Sequence, residues 1–357
     1  MRRNSYALAA LATAGIPGVI PVATSLTTAP GDDIDSALIR DTDDRLWVVT
    51  APTGAPSGAR VAKEIEVLEA LARTELAPII QSPQGFAAIP EGGRAVVALA
   101  LEGAPLDVEA ASASGDLASD LGRTLAMIHN TPGYATDDAG VEEFTPTAIR
   151  ERHLANIARA SAVHDIPAAV AQRWKLMLAR DDLWAFTPRF IHGSLGDERL
   201  LTVGESVSGI LAWENAAIAD PAVDLAWVLS GLEPEAFDTM YTAYAAHLDV
   251  QPDPHLLERT QLVGEFAVLE WLLAGMDTNN EEIVREALDM LADVDEDLAE
   301  LARQEAEHEF DDLADGDAPA AGPSAAEAPA AAEASEAPGV PGASGRADPA
   351  DGPDQRA

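Results

Sequence analysis

The chain has 357 residues, with 61 Asp and Glu against 22 Lys and Arg, a formal net charge of −39. Nucleic acid is bound by clustered cations that displace counterions, and no basic block occurs, so nucleic acid is excluded as a partner and the same field holds off an anionic membrane. Apolar residues make up 47% of the chain, enough for one or two cores of ordinary size, and the lack of cysteine removes disulfides, thiolate metal sites and cysteine nucleophiles together. A cytoplasmic location is the expectation.

Residues 1–17 open with Arg2-Arg3 and an Ala/Leu-rich run that predicts a short helix, with a secretory signal as the alternative. Residues 18–101 carry short β-type runs: Val19 to Val22, Ser36 to Ile39, Leu46 to Val49, Phe86 to Ile89 and Ala95 to Leu99. Pro30-Gly31-Asp32 and Asp41-Thr42-Asp43-Asp44 punctuate the first three, which predicts an antiparallel meander. Between the third and fourth, Val61, Ile65, Leu68 and Leu71 recur at helical steps, predicting a helix over 57–73.

After a hinge at 102–105, residues 106–310 read as helical. Apolar stripes run over 117–129, 146–162, 168–179, 234–247, 256–275 and 281–301. One stretch differs: Leu200 to Val203 and Val207 to Leu211 predict a β-hairpin across Gly204-Glu205-Ser206. From 311 to 357 the chain is Ala, Pro, Gly, Ser and acids, a composition that predicts a disordered acidic tail. The tail holds ten acids and two arginines, so most of the negative charge belongs to the preceding body. The fold class predicted is α+β in two lobes, a small antiparallel sheet followed by a larger helical lobe.

The most informative segment runs Phe190-Ile191-His192-Gly193-Ser194-Leu195-Gly196-Asp197-Glu198-Arg199-Leu200-Leu201, then Gly209-Ile210-Leu211-Ala212-Trp213-Glu214, then Asp220-Pro221-Ala222-Val223-Asp224-Leu225. This resembles the aminoglycoside phosphotransferase and choline kinase-like family, whose pattern is HGDxxxxN, a hairpin, an I-D-W/F-E element and a D-P-x-x-D-L motif. Leu121-Gly122 through His129 is similar to the family's LGxxLAxxH helix, and Glu64 with Leu68 to its small-lobe E-x-x-x-L helix. The resemblance spans about residues 18–305 and implies a two-lobe protein kinase-like fold.

It also implies which positions carry the chemistry, and several hold the wrong residue. Phosphoryl transfer requires a base for the acceptor hydroxyl, metal ions between the phosphates and a cation on the phosphates. The family's base position is Ser194, a hydroxyl that takes no proton near pH 7, and its metal positions are Arg199, which has no acceptor atom, and Ala212, which has no ligand. Thr50 stands where a Lys or Arg is expected, leaving Glu64 without its partner, and Gly31 is followed by Asp32 and Asp33 where backbone amides would cradle phosphate. Glu102 at the hinge is a further nucleotide-side candidate. His192, Gly193, Trp213, Asp220 and Asp224 read as scaffold, with Asp224 accepting amides of the loop and Asp220 capping the next helix.

Three readings follow, the third a purely structural partner whose acidic surface and tail engage a basic protein. In the first, the chain is a catalytically impaired pseudokinase that acts by binding and needs no cofactor. In the second, it is an active small-molecule phosphotransferase using ATP or GTP with Mg²⁺, its chemistry moved to Asp197, Glu198 or Glu214. His129 and His192 are acid/base candidates or hydrogen-bonded structural residues. Trp47, Trp174, Trp184, Trp227 and Trp271 read as core. A small cationic molecule in the cleft and a basic protein are the expected partners.

Overall fold

The computed structural model describes residues 2–27, 33–90 and 93–315. The chain divides into two compact units at Gln304, and the architecture below belongs to Met1–Gln304. In the second unit the described residues, 305–315, are helical.

Five strands build the first sheet: β1 (Pro21–Leu26), β2 (Ile34–Asp41), β3 (Leu46–Pro52), β4 (Pro83–Ala88) and β5 (Arg94–Leu99). Every pairing is antiparallel and the order is β1-β2-β3-β5-β4. The period of two in β2 and β3 creates two faces. Ala37, Ile39, Trp47 and Val49 point to one side, where helix α1 (Ser5–Gly15) covers them with Leu8, Ala9 and Ala12. Arg3 ties the start of α1 to the sheet, its amide and guanidinium donating to the buried Asp35 carboxylate at 2.9 and 3.3 Å. Ser36, Leu38, Val48 and Thr50 point the other way, toward helix α2 (Ala55–Leu71) and the cleft between the lobes.

The meander expected for the first three strands is present, and the turn after β2 uses Asp44 at φ 61. β1 begins later than the apolar run suggests, at Pro21 rather than Val19. Val19 is buried ahead of the strand, while Ile20 and Val22 are both 59% exposed. An edge strand with one neighbour does not need its apolar residues inside. Pro30, Gly31 and Asp32 lie outside the described residues.

At the hinge, β6 (Ala104–Pro105) pairs with the predicted hairpin of β9 (Leu200–Val203) and β10 (Ser206–Ile210), giving the order β10-β9-β6. A third small sheet has the order β7-β11-β8, from β7 (Glu142–Glu143), β8 (Arg189–Ile191) and β11 (Ala217–Ala219). The helices are α3 (Val108–Ala113), α4 (Gly115–His129), α5 (Pro146–Ser161), α6 (Ala168–Ala179), α7 (Ala222–Gly231), α8 (Pro234–His247), α9 (Leu256–Thr278) and α10 (Glu281–Asp315). α10 thus continues past the predicted end of the helical region at 310, and residues 316–357, where the sequence predicts a tail, lie outside the described residues.

α4 and α8 pack closely because Gly122 permits it: a Cβ there would lie 2.1 Å from the carbonyl oxygen of Met240. Around this pair lies one core, with Leu121, Leu125, Phe190, Trp213 and Tyr244, which α2 joins through Val67, Leu68 and Leu71. A second core, with Trp174, Leu183, Phe266, Leu269 and Leu272, holds α5, α6 and α9 together. Each fully buried leucine stabilises by roughly 1.5–3 kcal/mol. Among the described residues no helix is long and apolar enough to cross a membrane.

Candidate functional site

The loop after β8 is fixed from below by one carboxylate. Asp224, in the first turn of α7 and fully buried, accepts the amide of His192 through Oδ2 at 2.7 Å and the amide of Gly193 through Oδ1 at 2.8 Å. His129 reaches the same Oδ2 with Nε2 at 3.3 Å, and its Nδ1 meets the Tyr244 hydroxyl at 2.8 Å. Burial opposes the charge of Asp224, yet the hydrogen bond and charge of His129, with His192 behind them, hold its carboxyl below the ordinary value. Gly193 sits at φ 81, where a Cβ would come within 2.3 Å of the Asn215 carbonyl oxygen, so the turn accepts only glycine.

His192 latches this loop to the end of β10. Its Nε2 contacts the Leu211 carbonyl at 2.9 Å, and since a carbonyl only accepts, Nε2 carries the proton. Nδ1 is buried with no partner, and burial keeps the ring neutral by lowering its pKa. The ring packs 4.6 Å from Trp213 and is not among the residues lining either cavity described below. His129 is likewise buried outside both.

Two cavities flank the loop. One, of about 320 Å³, lies between the lobes, with Thr50, Glu64, Ala212 and Trp213 among its lining residues. Glu64 Oε1 accepts the Trp213 amide at 3.2 Å. Burial, reinforced by the nearby charge of Glu214, pushes Glu64 up to about 7 against the opposing effects of that amide and Arg199. Ala212 adopts φ 65 and ψ 61, the left-handed region. Arg199 turns back so that Nη1 donates to the Ser194 carbonyl. Asp33 pairs with Arg60, and Glu102 is exposed, away from the cavity lining, its carbonyl accepting the Ser208 hydroxyl at 2.6 Å.

The second cavity, about 800 Å³, opens in the helical lobe. Its walls are largely apolar, from Phe144, Trp184, Phe266, Val268, Trp271 and Met290, and Ser194 and Asn215 stand at its loop edge. Asn215 Nδ2 donates to Ser194 Oγ at 3.2 Å. Arg152, His153 and Glu270 are further polar lining groups. His153 is 5% exposed with Nδ1 unpartnered, and burial lowers it to about 4, so the ring is neutral. Arg152 lies 5.2 Å over the Phe144 ring.

The structure therefore separates the predicted residues. Thr50, Glu64, Ala212 and Trp213 meet in the interlobe cavity, while Ser194 and Asp220 line the other. Asp220 accepts the Ala222 amide at 3.0 Å, at the start of α7. Asp197 and Glu198 are exposed and line neither cavity. Trp47, Trp174 and Trp184 are buried, but Trp271 is 42% exposed on the cavity wall and not core, because α9 turns that face to the cavity. The polar residues Arg152 and His153 carry no sequence signal, since a charged residue and a histidine on an amphipathic helix look like any others.

The architecture is similar to solved phosphotransferases. The macrolide 2'-phosphotransferase MphH from Brachybacterium faecium, an apoenzyme, matches with 26% identity over 77% of this chain and 94% of that chain, at a TM-score of 0.67. The GDP and kanamycin complex of APH(2")-IIia matches with 18% identity over 80% of this chain and 96% of that one, at a TM-score of 0.65, a likeness of fold. Among curated proteins, the uncharacterized YcbJ of Bacillus subtilis (strain 168) is 27% identical over 112 residues, 31% of this chain and 37% of YcbJ, so the match spans well under half of that relative. The sequence also matches the family model of the APH phosphotransferases over residues 26–258, and this chain belongs to that phosphotransferase enzyme family.

Proposed function

We propose that this chain uses the phosphotransferase scaffold to bind small molecules and does not transfer phosphate. The observation that carries the reading is the Arg199 guanidinium folded onto the Ser194 carbonyl at the family's metal and base positions. A magnesium nucleotide does not fit this donor set. The Ala212 side chain offers no oxygen, Arg199 repels a metal ion, and Thr50 supplies no charge to a phosphate. Removal of a positioned base alone costs about 10²–10⁴ in rate. Migration of the base to Asp197 or Glu198 is disfavoured by their position outside both cavities.

What the helical-lobe cavity would hold follows from its walls. Its aromatic and aliphatic lining and neutral His153 suit a bulky, largely apolar molecule, and a macrolide, for which the similar MphH enzyme is named, is a candidate of that kind. A cationic group would meet the Glu64 carboxylate in the interlobe cavity, where no Lys or Arg is among the described lining residues.

The test is product analysis with ATP and GTP, each with Mg²⁺, against a macrolide and kanamycin. The expected result is no phosphorylated product above the protein-free control, together with a thermal shift by the macrolide that Trp271→Ala diminishes. A phosphorylated product lost on changing Glu214 would overturn the reading.

A further inference from the structure

Most buried polar side chains of the helical-lobe cavity are already paired within the protein. Trp184 Nε1 donates to the Met177 carbonyl at 3.1 Å, and Arg259 Nε donates to Asp220 Oδ2 at 2.8 Å. His153 of α5 and Trp227 of α7 are different. Both line the cavity, and His153 Nδ1 and Trp227 Nε1 are buried with no hydrogen-bond partner among the described residues. A buried polar atom left unpaired has lost its hydration with nothing in exchange, which is why such atoms are few in folded proteins. The His153 ring is also held in place, stacked on Phe266 with centroids 4.1 Å apart and planes at 16°.

We propose that His153 and Trp227 set the selectivity of this cavity for an uncharged, apolar alcohol, whose hydroxyl oxygens they hydrogen-bond. The proposal rests on the reading that the helical-lobe cavity binds a small molecule, and adds which side chains recognise that molecule and by what group. Trp227 Nε1 only donates, whereas Nδ1 of a neutral imidazole donates or accepts according to the tautomer. A hydroxyl does both, so it serves each nitrogen whichever tautomer His153 holds. Charge is the second selector. Arg152 and Glu270, opposite in sign, both line the cavity, and the charge of Arg152 opposes the effect of burial on the Glu270 carboxyl. Asp220 is engaged by Arg259 and by the Ala222 amide. A cation would meet Arg152 and an anion Glu270, while an uncharged molecule meets repulsion from neither. The apolar walls supply attraction for its carbon frame, and the two nitrogens fix its orientation.

The experiment is a fluorescence titration of the full chain at pH 7 with diphenylhexatriene, a hydrocarbon dye without a polar atom. The bound dye is then displaced with cyclododecanol or with cyclododecylamine, the same ring bearing a hydroxyl or, at this pH, an ammonium. The expected result is that cyclododecanol binds at least about tenfold more tightly than the amine. His153→Phe, which keeps a ring to stack on Phe266, and Trp227→Phe should each cut that preference by about threefold or more while the dye binds as before. His153→Asn, which keeps a polar atom near the position of Nδ1, should retain it. A preference that survives both phenylalanine variants would be hydrophobic partition alone, and the proposal would fall; a preference lost in His153→Asn as fully as in His153→Phe would overturn it too. Should Trp227→Phe no longer bind the dye, the two His153 variants decide, and the proposal stands only if the asparagine keeps what the phenylalanine loses. Binding of the dye with no displacement by cyclododecanol would overturn this inference alone. Failure of the dye and both ring compounds to bind would overturn the small-molecule reading of the cavity with it.

Discussion

Arg259 donates to both carboxylate oxygens of Asp220, Nε to Oδ2 at 2.8 Å and Nη2 to Oδ1 at 3.3 Å, with both side chains buried. The pair joins the first turns of α9 to the start of α7, where Asp220 also accepts the Ala222 amide. Arg259 is satisfied further by the Leu183 carbonyl at 3.2 Å and lies 4.2 Å over the Phe186 ring. Removing one partner of such a pair strands a buried charge. Arg259→Met should therefore destabilise by about 3–5 kcal/mol in urea denaturation, and adding Asp220→Asn to it should recover part of that loss. A double variant less stable than Arg259→Met would show that Asp220 is needed for more than its pairing with Arg259.

Asp224 carries a different load, since its partners are backbone amides. Asp224→Ala leaves the His192 and Gly193 amides without an acceptor, at about 1–3 kcal/mol each, so a loss of several kcal/mol is expected. Asp197→Ala, on an exposed part of the same loop, should stay within about ±0.5 kcal/mol. Equal effects of the two changes would remove Asp224 from its supporting role.

Glu64 gives the fold a pH dependence of definite sign. Its carboxyl is raised from 4.5 to about 7 in the folded state, chiefly by burial and then by Glu214, so folding takes up a proton between those values. The unfolded state binds fewer protons in that window, and stability falls as pH rises from about 4.5 through 7. The loss is on the order of 2–3 kcal/mol once the pH exceeds 7. Glu64→Gln keeps the acceptor for the Trp213 amide and removes the charge. It should raise Tm at pH 8 and leave Tm at pH 4.5 nearly unchanged. A rise of equal size at both pH values would assign the effect to packing.

Much of this organisation is legible in the sequence because it is local. The alternation of Ser36, Ala37, Leu38 and Ile39 announces a strand with two faces, and α6 and α8 begin and end where their apolar stripes do. Asp224 and Gly193 are marked by the resemblance of the loop motif to the phosphotransferase family's. Less local features are not legible. β7, β8 and β11 have two or three residues each, too few to show a period. Arg259 pairs with a residue 39 positions away, and the helical-lobe cavity is assembled from α5, α7, α9 and α10, whose cavity faces look like ordinary core stripes. Trp271 is misread for that reason: an apolar stripe does not say whether it meets another helix or a cavity.

Ala212 holds a left-handed backbone that is unusual for alanine. At φ 65 and ψ 61 a side chain with a Cβ is strained by roughly 1–2 kcal/mol, and Asp and Asn tolerate that conformation better than Ala because they can hydrogen-bond locally. The backbone at this cavity-lining position therefore suits an aspartate. Ala212→Asp should be accommodated without loss of stability, and with Arg199→Asn it should create Mg²⁺-dependent nucleotide affinity, because a repelling charge is removed and two hard oxygen ligands are gained. Calorimetry on the native chain and the double variant, side by side with Mg²⁺ and ATP or GTP, reads this directly. Under the function proposed above, the double variant is not expected to transfer phosphate, since Ser194 is no base and Thr50 supplies no cation. If the native chain already binds Mg²⁺-nucleotide as tightly as the double variant, Arg199 and Ala212 do not occupy the metal positions, and the site lies elsewhere in the cleft.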